Sequence, residues 1–246
     1  MAHISRVSLL VTCLVDQFFP EVGESVVRVL QRLGIQVDFP QAQTCCGQPM
    51  FNAGFHQEAG RLARRLLDIF DGSEYLVAPS GSCGSMVKIF GPGLFRDEPE
   101  LHRRAQELAG RTYEFSQFLV DVVGVTDVGA TYSGKVTYHA SCHLLRELGV
   151  RDAPLALLKA VQGVEYVPMT QYDTCCGFGG SFAVKYPHIS TALLDDKLRW
   201  LQESGADTLV ANDTGCLMHL QGALHRRGLP VKVMHLAELL AQERKA

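Results

Sequence analysis

The chain has 246 residues, of which 47% are apolar and 20% charged, and it carries eight cysteines. That composition excludes wholesale disorder, collagen and coiled coil, and a chain this long buries a core without disulfide staples. The net charge is −3 and neither half is basic, so there is no electrostatic footprint for nucleic acid or an anionic membrane surface.

In chain order, Arg6 precedes an apolar run, Val7–Val15, that imitates a secretory leader ending at Cys13. Asp16 and Gln17 follow it with no small-residue cleavage site. The pattern of Val7–Cys13 also returns in mid-chain as Val136–Cys142, which marks a structural element and not an address tag. No apolar run approaches the ~18 residues a membrane span needs, so a cytoplasmic protein without structural disulfides is expected.

Val7–Thr12 predicts a strand, Glu24–Leu33 a helix, and Ile35–Phe39 a second strand leading to Thr44-Cys45-Cys46-Gly47. His56–Phe70 places Ala59, Leu62, Ala63, Leu66, Leu67 and Phe70 at helical spacing. Tyr75–Ala78 predicts a strand running into Cys83, Gly91–Glu100 a loop, and Thr112–Val123 a strand and closing helix. A linker is expected over Gly124–Lys135. The series then repeats. Strands are expected at Val136–Ala140, Val164–Val167 and Thr208–Ala211, helices at Leu144–Leu148, Ala153–Val161 and Ile189–Leu201, and a closing pair at Val231–Leu240. In that reading His235 is the counterpart of Phe115.

The cysteines define the repeat. Cys13, Cys45, Cys46 and Cys83 recur as Cys142, Cys175, Cys176 and Cys216, at offsets of 129, 130, 130 and 133, with none left over. Strands alternating with helices predict an α/β fold: two repeated βαβ-type modules with parallel sheets, related by a pseudo-twofold, over residues 1–125 and 126–246. In such sheets the strand-to-helix loops form the ligand-binding edge, so each set of four cysteines is expected to converge there.

Neighbouring cysteines disfavour disulfides, and idle buried cysteine does not explain a duplicated set. Two thiolate sites for metal do. Long gaps and no Cys-x-x-Cys knuckle suit an iron–sulfur cluster better than zinc, which stays as the alternative. His139, His143 and His219 are candidates to orient or tune such a site, against the plainer reading of solvent-facing or backbone-bonded side chains. Gly177-Phe-Gly-Gly180 lacks both the third glycine of a dinucleotide fingerprint and the lysine of a phosphate loop. Its glycines are expected to bring the backbone close to the site. Arg146, the pairs Arg64-Arg65 and Arg103-Arg104, and Asp195-Asp196 read as surface charges, with charge balance at the site a second possibility for Arg146.

Five stretches, Thr44–Gly54, Pro79–Cys83, Tyr138–Arg146, Cys175–Phe182 and Asn212–His219, resemble the cysteine-rich CCG domain, present twice. That domain occurs in the cysteine-rich subunit of heterodisulfide reductase, in the iron–sulfur subunit of glycolate oxidase and in lactate utilisation proteins. The resemblance implies a cytoplasmic iron–sulfur subunit of an oxidoreductase that oxidises L-lactate. It implies one or two [4Fe–4S] clusters held by the eight cysteines, and sister subunits that include a ferredoxin-like iron–sulfur protein. A heterodisulfide-reductase-like thiol/disulfide enzyme and a zinc-stabilised scaffold are the other readings. One departure stands out: the family often ends each half in Cys-x-x-Cys, and here those last positions are Met86 and His219.

Overall fold

Short apolar runs, each followed by an amphipathic helix, build two copies of one open sheet. The computed structural model describes residues 4–243, so the first three residues of the leader-like start and the last three of the second module lie outside it. The first sheet contains β1 (Arg6–Leu9), β2 (Gln36–Asp38), β3 (Leu76–Ala78) and β4 (Thr112–Glu114); the second contains β5 (Thr131–His139), β6 (Gln162–Tyr166), β7 (Thr208–Ala211) and β8 (Lys232–His235). Their orders are β2-β1-β3-β4 and β6-β5-β7-β8, and every pairing is parallel. The expected α/β class with two βαβ-type modules is therefore what the chain adopts.

Helices cover the sheets because each presents an apolar stripe. Pro20–Arg32 buries Val22, Val26, Val29 and Leu30; His56–Phe70 buries Ala59, Leu66, Leu67 and Phe70. Among the described residues four apolar bodies result, the smallest made of Leu144, Val150 and Ala153. The largest joins the halves, with Val7, Leu9, Val26 and Phe115 from one packing with Val136, Tyr138, Leu236 and Leu239 from the other. A second, wholly in the first half, includes Cys46 and Cys83; a third, wholly in the second, includes Cys176 and Cys216. Among the described residues no helix is long and apolar enough to cross a membrane.

Four expectations need correction. The loop Gly91–Glu100 contains a helical turn, Pro92–Phe95, and then the start of a helix, Pro99–Gly110, that buries Ala105, Leu108 and Ala109. The linker is shorter than Gly124–Lys135, because β5 begins at Thr131 and follows β6 across a register shift between Thr131 and Gly134. The helix Thr214–Arg226, which no sequence segment was assigned to, carries Cys216 in its first turn. The closing motifs are also out by one residue. Ala78 pairs with Glu114 as Ala211 pairs with His235, so His235 corresponds to Glu114 and not to Phe115. Both residues cap the helix that follows: the Glu114 carboxylate accepts from Ser116 N and His235 Nδ1 accepts from Ala237 N.

Candidate metal centre

Cys13, Cys83, Cys142 and Cys216 lie where β1, β3, β5 and β7 give way to helices, and the paired cysteines follow β2 and β6. Thr12 caps the helix that Cys13 opens, Ser80 caps Gly81–Ser85, and Asp213 caps Thr214–Arg226. The cysteine-cysteine-glycine loops come up beside them because Gly47 and Gly177 adopt φ of +88° and +89°, a left-handed turn that favours glycine. Each glycine lies against a long helix beyond a short one, Gly47 against His56–Phe70 and Gly177 against Pro187–Ser204. A Cβ on Gly47 would sit 3.3 Å from Ala59 O, and one on Gly177 only 2.5 Å from Ser190 O.

All eight cysteines are free thiols. In the first half Cys13 Sγ lies 3.7 Å from Cys45 Sγ, and Cys46 Sγ lies 3.3 Å from Cys83 Sγ. Cys45 and Cys46 are neighbours in the chain, which joins the two pairs into a set of four. In the second half Cys142, Cys175, Cys176 and Cys216 all line one cavity and shift one another's proton affinity in the same pattern. Each set has two buried cysteines, Cys46 with Cys83 and Cys176 with Cys216, and two half-buried ones. The sequence-predicted groups of four are thus brought together as two sets.

One thiol in each set is the natural anion. Cys45 is lowered to about 2, first by the Cys13 thiol, then by Cys46 and by the Gly47 N–H 3.5 Å away. Cys175 is lowered to about 2 in the same way, by Cys142, Cys176 and the Gly177 N–H at 3.3 Å. The thiols around them, Cys13 and Cys46, Cys142 and Cys176, are raised, because bonding to that thiolate and burial both favour keeping their protons. A bound cation or cluster is what would release the remaining protons.

The two sets face one cavity of about 200 Å³, lined by cysteines of both halves and by Ser80 and Asp213. Its floor is the seam between the halves. Asp213 Oδ2 accepts from Ser80 Oγ at 3.1 Å and from Ser82 N at 2.9 Å, so the two helix caps touch. Beside them Asn212 Nδ2 donates to Glu114 Oε1 at 2.8 Å, and His235 Nε2 donates to Pro79 O at 3.1 Å. Gly81 meets Leu144 so closely that a Cβ would lie 2.6 Å from the Leu144 Cβ.

Soft thiolate sets, each with two buried members, fit a zinc ion or an iron–sulfur cluster. Orphaned polar atoms point the same way. Thr44 Oγ1, Ser141 Oγ and both ring nitrogens of His139 are buried without a hydrogen-bond partner among the described residues, and each of these residues adjoins the cysteines. His139 has a ring nitrogen within 4.8 Å of the sulfurs of Cys176 and Cys216 and is fully buried, so it is not solvent-facing. Burial lowers it to about 3, which leaves the ring neutral.

The other candidates divide. His143 Nδ1 lies 3.6 Å from Cys142 Sγ. His219 is half-buried, with Nε2 3.4 Å from Ser190 Oγ and its ring beside Phe178. Met86 is buried among the apolar residues around Cys46 and Cys83. Arg146 is exposed and donates to Asp173 O, away from the sulfurs. Sequence reasoning missed Lys197. It is fully buried, donates to Gln171 O at 2.6 Å, and sits between Leu194 and Leu198 on the helix face packed on Cys176 and Cys216. Burial pulls it down to about 8 while the charges of Cys176, Asp173 and Cys216 hold it up, so it remains a cation at neutral pH. Positions 194, 197, 198 and 201 share one helical stripe, which was the available signal.

The cysteine-rich CCG domain family matches the chain twice, at residues 7–88 and 136–221. A relative from Geobacillus kaustophilus named Lactate utilization protein A is 50% identical over 96% of this chain and 98% of its own length. Relatives of the same name from Bacillus licheniformis and Oceanobacillus iheyensis are 48% and 47% identical, again over 98% of their own lengths and over 96% and 98% of this chain. The solved structure of a hypothetical protein from Helicobacter pylori shares the fold, with a TM-score of 0.66 over 98% of this chain at 11% identity; the chain spans 50% of that protein's length. The resemblance read from the cysteine motifs holds across nearly the whole sequence, and the chain belongs to the family of Lactate utilization protein A, built on a duplicated cysteine-rich domain.

Proposed function

We propose that this chain is a cytoplasmic iron–sulfur electron-transfer subunit of a complex that oxidises L-lactate. Modules 1–125 and 126–246 would each carry one [4Fe–4S] cluster. Cys13, Cys45, Cys46 and Cys83 hold the first; Cys142, Cys175, Cys176 and Cys216 hold the second. The observation that supports this most is the gathering of eight free thiols into two sets of four, with seven of the eight lining one cavity. The name borne by the relatives supplies the substrate.

When bound, such a cluster supplies one-electron chemistry. The chain's own residues do the rest. Gly47 and Gly177 direct backbone N–H groups at Cys45 and Cys175, which stabilises negative charge on those sulfurs. The buried inner cysteines keep water from half of each site, and the helix starts at Thr12, Ser80 and Asp213 turn their positive ends toward it. The half-buried outer cysteines leave a face open to sister subunits, among them a ferredoxin-like iron–sulfur protein.

Metal and sulfide analysis of the full chain purified without oxygen tests the cofactor. About four iron and four sulfide per cluster are expected; stoichiometric zinc without sulfide would overturn the assignment. Deleting the gene in a strain with no second lactate-oxidising route tests the substrate. Loss of growth on L-lactate is expected, and unimpaired growth would refute it.

A further inference from the structure

The two sulfur sets share a scaffold but not a lining. The register fixes which residues correspond. Ser8 pairs with Leu76 as Thr137 pairs with Leu209, so Leu10 and His139 occupy the same place, two residues further along. Gly47 rests on Ala59 as Gly177 rests on Ser190, so Leu66 and Lys197 correspond, seven residues beyond those contacts. Met86 and His219 each follow the last cysteine of their half by three residues.

In the first half these three positions are apolar. Leu10, Leu66 and Met86 are all buried in the core that contains Cys46 and Cys83. In the second half all three are basic or ring-nitrogen side chains. His139 is fully buried, neither ring nitrogen has a hydrogen-bond partner among the described residues, and one of them lies within 4.8 Å of the Cys176 and Cys216 sulfurs. Lys197 is fully buried on the stripe that packs against the same two cysteines. His219 is half-buried one helical turn after Cys216.

We propose that Lys197 and His139 tune the second centre, so that it has the higher reduction potential and holds the electron in a chain carrying only one. The inference rests on the iron–sulfur reading above. Reduction adds a negative charge to an anionic cluster. A buried ammonium on the helix face packed against these cysteines and a ring nitrogen within 4.8 Å of their sulfurs stabilise that charge, and the low local dielectric strengthens the effect. Leu10, Leu66 and Met86 offer nothing comparable. Within a one-electron-reduced chain the step is simple: the first cluster is oxidised, the second is reduced, and no bond or proton changes hands.

The test uses the full chain, prepared without oxygen and assayed for iron and sulfide. It is titrated with dithionite while the spin-resonance signal of the reduced clusters is followed. Two waves are expected, and Cys45→Ala, which leaves the second centre intact, should retain the upper one. Lys197→Met should shift the upper wave down by about tenfold in the reduction equilibrium, ~59 mV for one electron. The lower wave should stay in place, and Lys197→Arg should restore the upper one. His139→Leu should move the upper wave in the same direction, which keeps the test decisive if Lys197→Met fails to load iron. Leu66→Met should move neither wave. A single wave, an upper wave that belongs to the first centre, or an upper wave indifferent to both Lys197 and His139 would overturn the inference and leave the iron–sulfur assignment standing. A parent chain without iron and sulfide would overturn both.

Discussion

At the seam the two halves place opposite chemistry in the same structural position. Glu114 ends β4 in one half and His235 ends β8 in the other; each caps the next helix and reaches across to the opposite half. The acid meets Asn212, and the imidazole meets the carbonyl of Pro79. Asn212 and Pro79 are themselves equivalent, each the first residue after the central strand of its half. Duplication therefore preserved the backbone path and the bridging role, while the bridging groups diverged. A buried polar group at a seam must find a partner, and either an acid with an amide or an imidazole with a carbonyl satisfies that demand.

The comparison can be broken most sharply at the cysteines. Cys45→Ala and Cys175→Ala should each remove the iron of one half and leave that of the other. Iron assays on the two variants check this, and loss of all iron from either would merge the two sites into one. Next come the glycines. Gly47→Ala should cost about 1–2 kcal/mol, the penalty for a left-handed non-glycine residue. Gly177→Ala should cost more, about 2–5 kcal/mol, because its Cβ also collides with Ser190 O at 2.5 Å, where that of Gly47 makes only a tight contact of 3.3 Å with Ala59 O. Thermal unfolding separates them, at roughly 2–4 °C per kcal/mol for a chain of this size. Equal losses would mean that the closer approach in the second half has no energetic consequence.

The seam itself gives smaller effects. Asn212→Ala leaves the buried Glu114 without its amide and should cost about 1–3 kcal/mol. His235 adds a pH term. Burial lowers its pKa to about 4, and its Nδ1 must stay unprotonated to cap the helix. A depressed folded pKa means that the unfolded chain takes up the proton first. Stability from this residue is then complete above its ordinary pKa of 6.5, and it is lost as the pH falls from there towards 4. His235→Asn keeps a capping side chain and should flatten the denaturation midpoint over that window. A variant with an unchanged slope would assign the pH dependence elsewhere.

Much of this organisation was legible because cysteine spacing does not depend on secondary-structure propensity. His56–Phe70 and Thr208–Ala211 are also where periodicity placed them, since each buries a single clean face or run. Pro99–Gly110 was overshadowed by the prolines and glycines before it, although Leu101, Ala105 and Leu108 follow helical spacing. The start of β5 read as linker because Ser133 and Gly134 carry no strand signal of their own. Pairing with β6 and the bond from Lys135 N to Asp207 hold it extended. The seam residues were hidden for a different reason. A glutamate or a lysine in sequence reads as solvated, and only the opposite half supplies the burial and partners that make Glu114 an interior group.

The Asp213 carboxylate caps its own helix with Oδ1 and holds Ser80 and Ser82 with Oδ2. One side chain thus acts as a ruler between the helix that bears Cys216 and the one that bears Cys83. That clasp acts together with the apolar core shared by the halves and with the bonds from Asn212 to Glu114 and from His235 to Pro79, so packing across the seam and not the tether over residues 124–130 sets the spacing of the two sulfur sets. Lengthening the tether would add only the slow logarithmic cost of a longer loop. Cutting the clasp would loosen the two cysteine-bearing helix starts against each other while the shared core still holds the halves together.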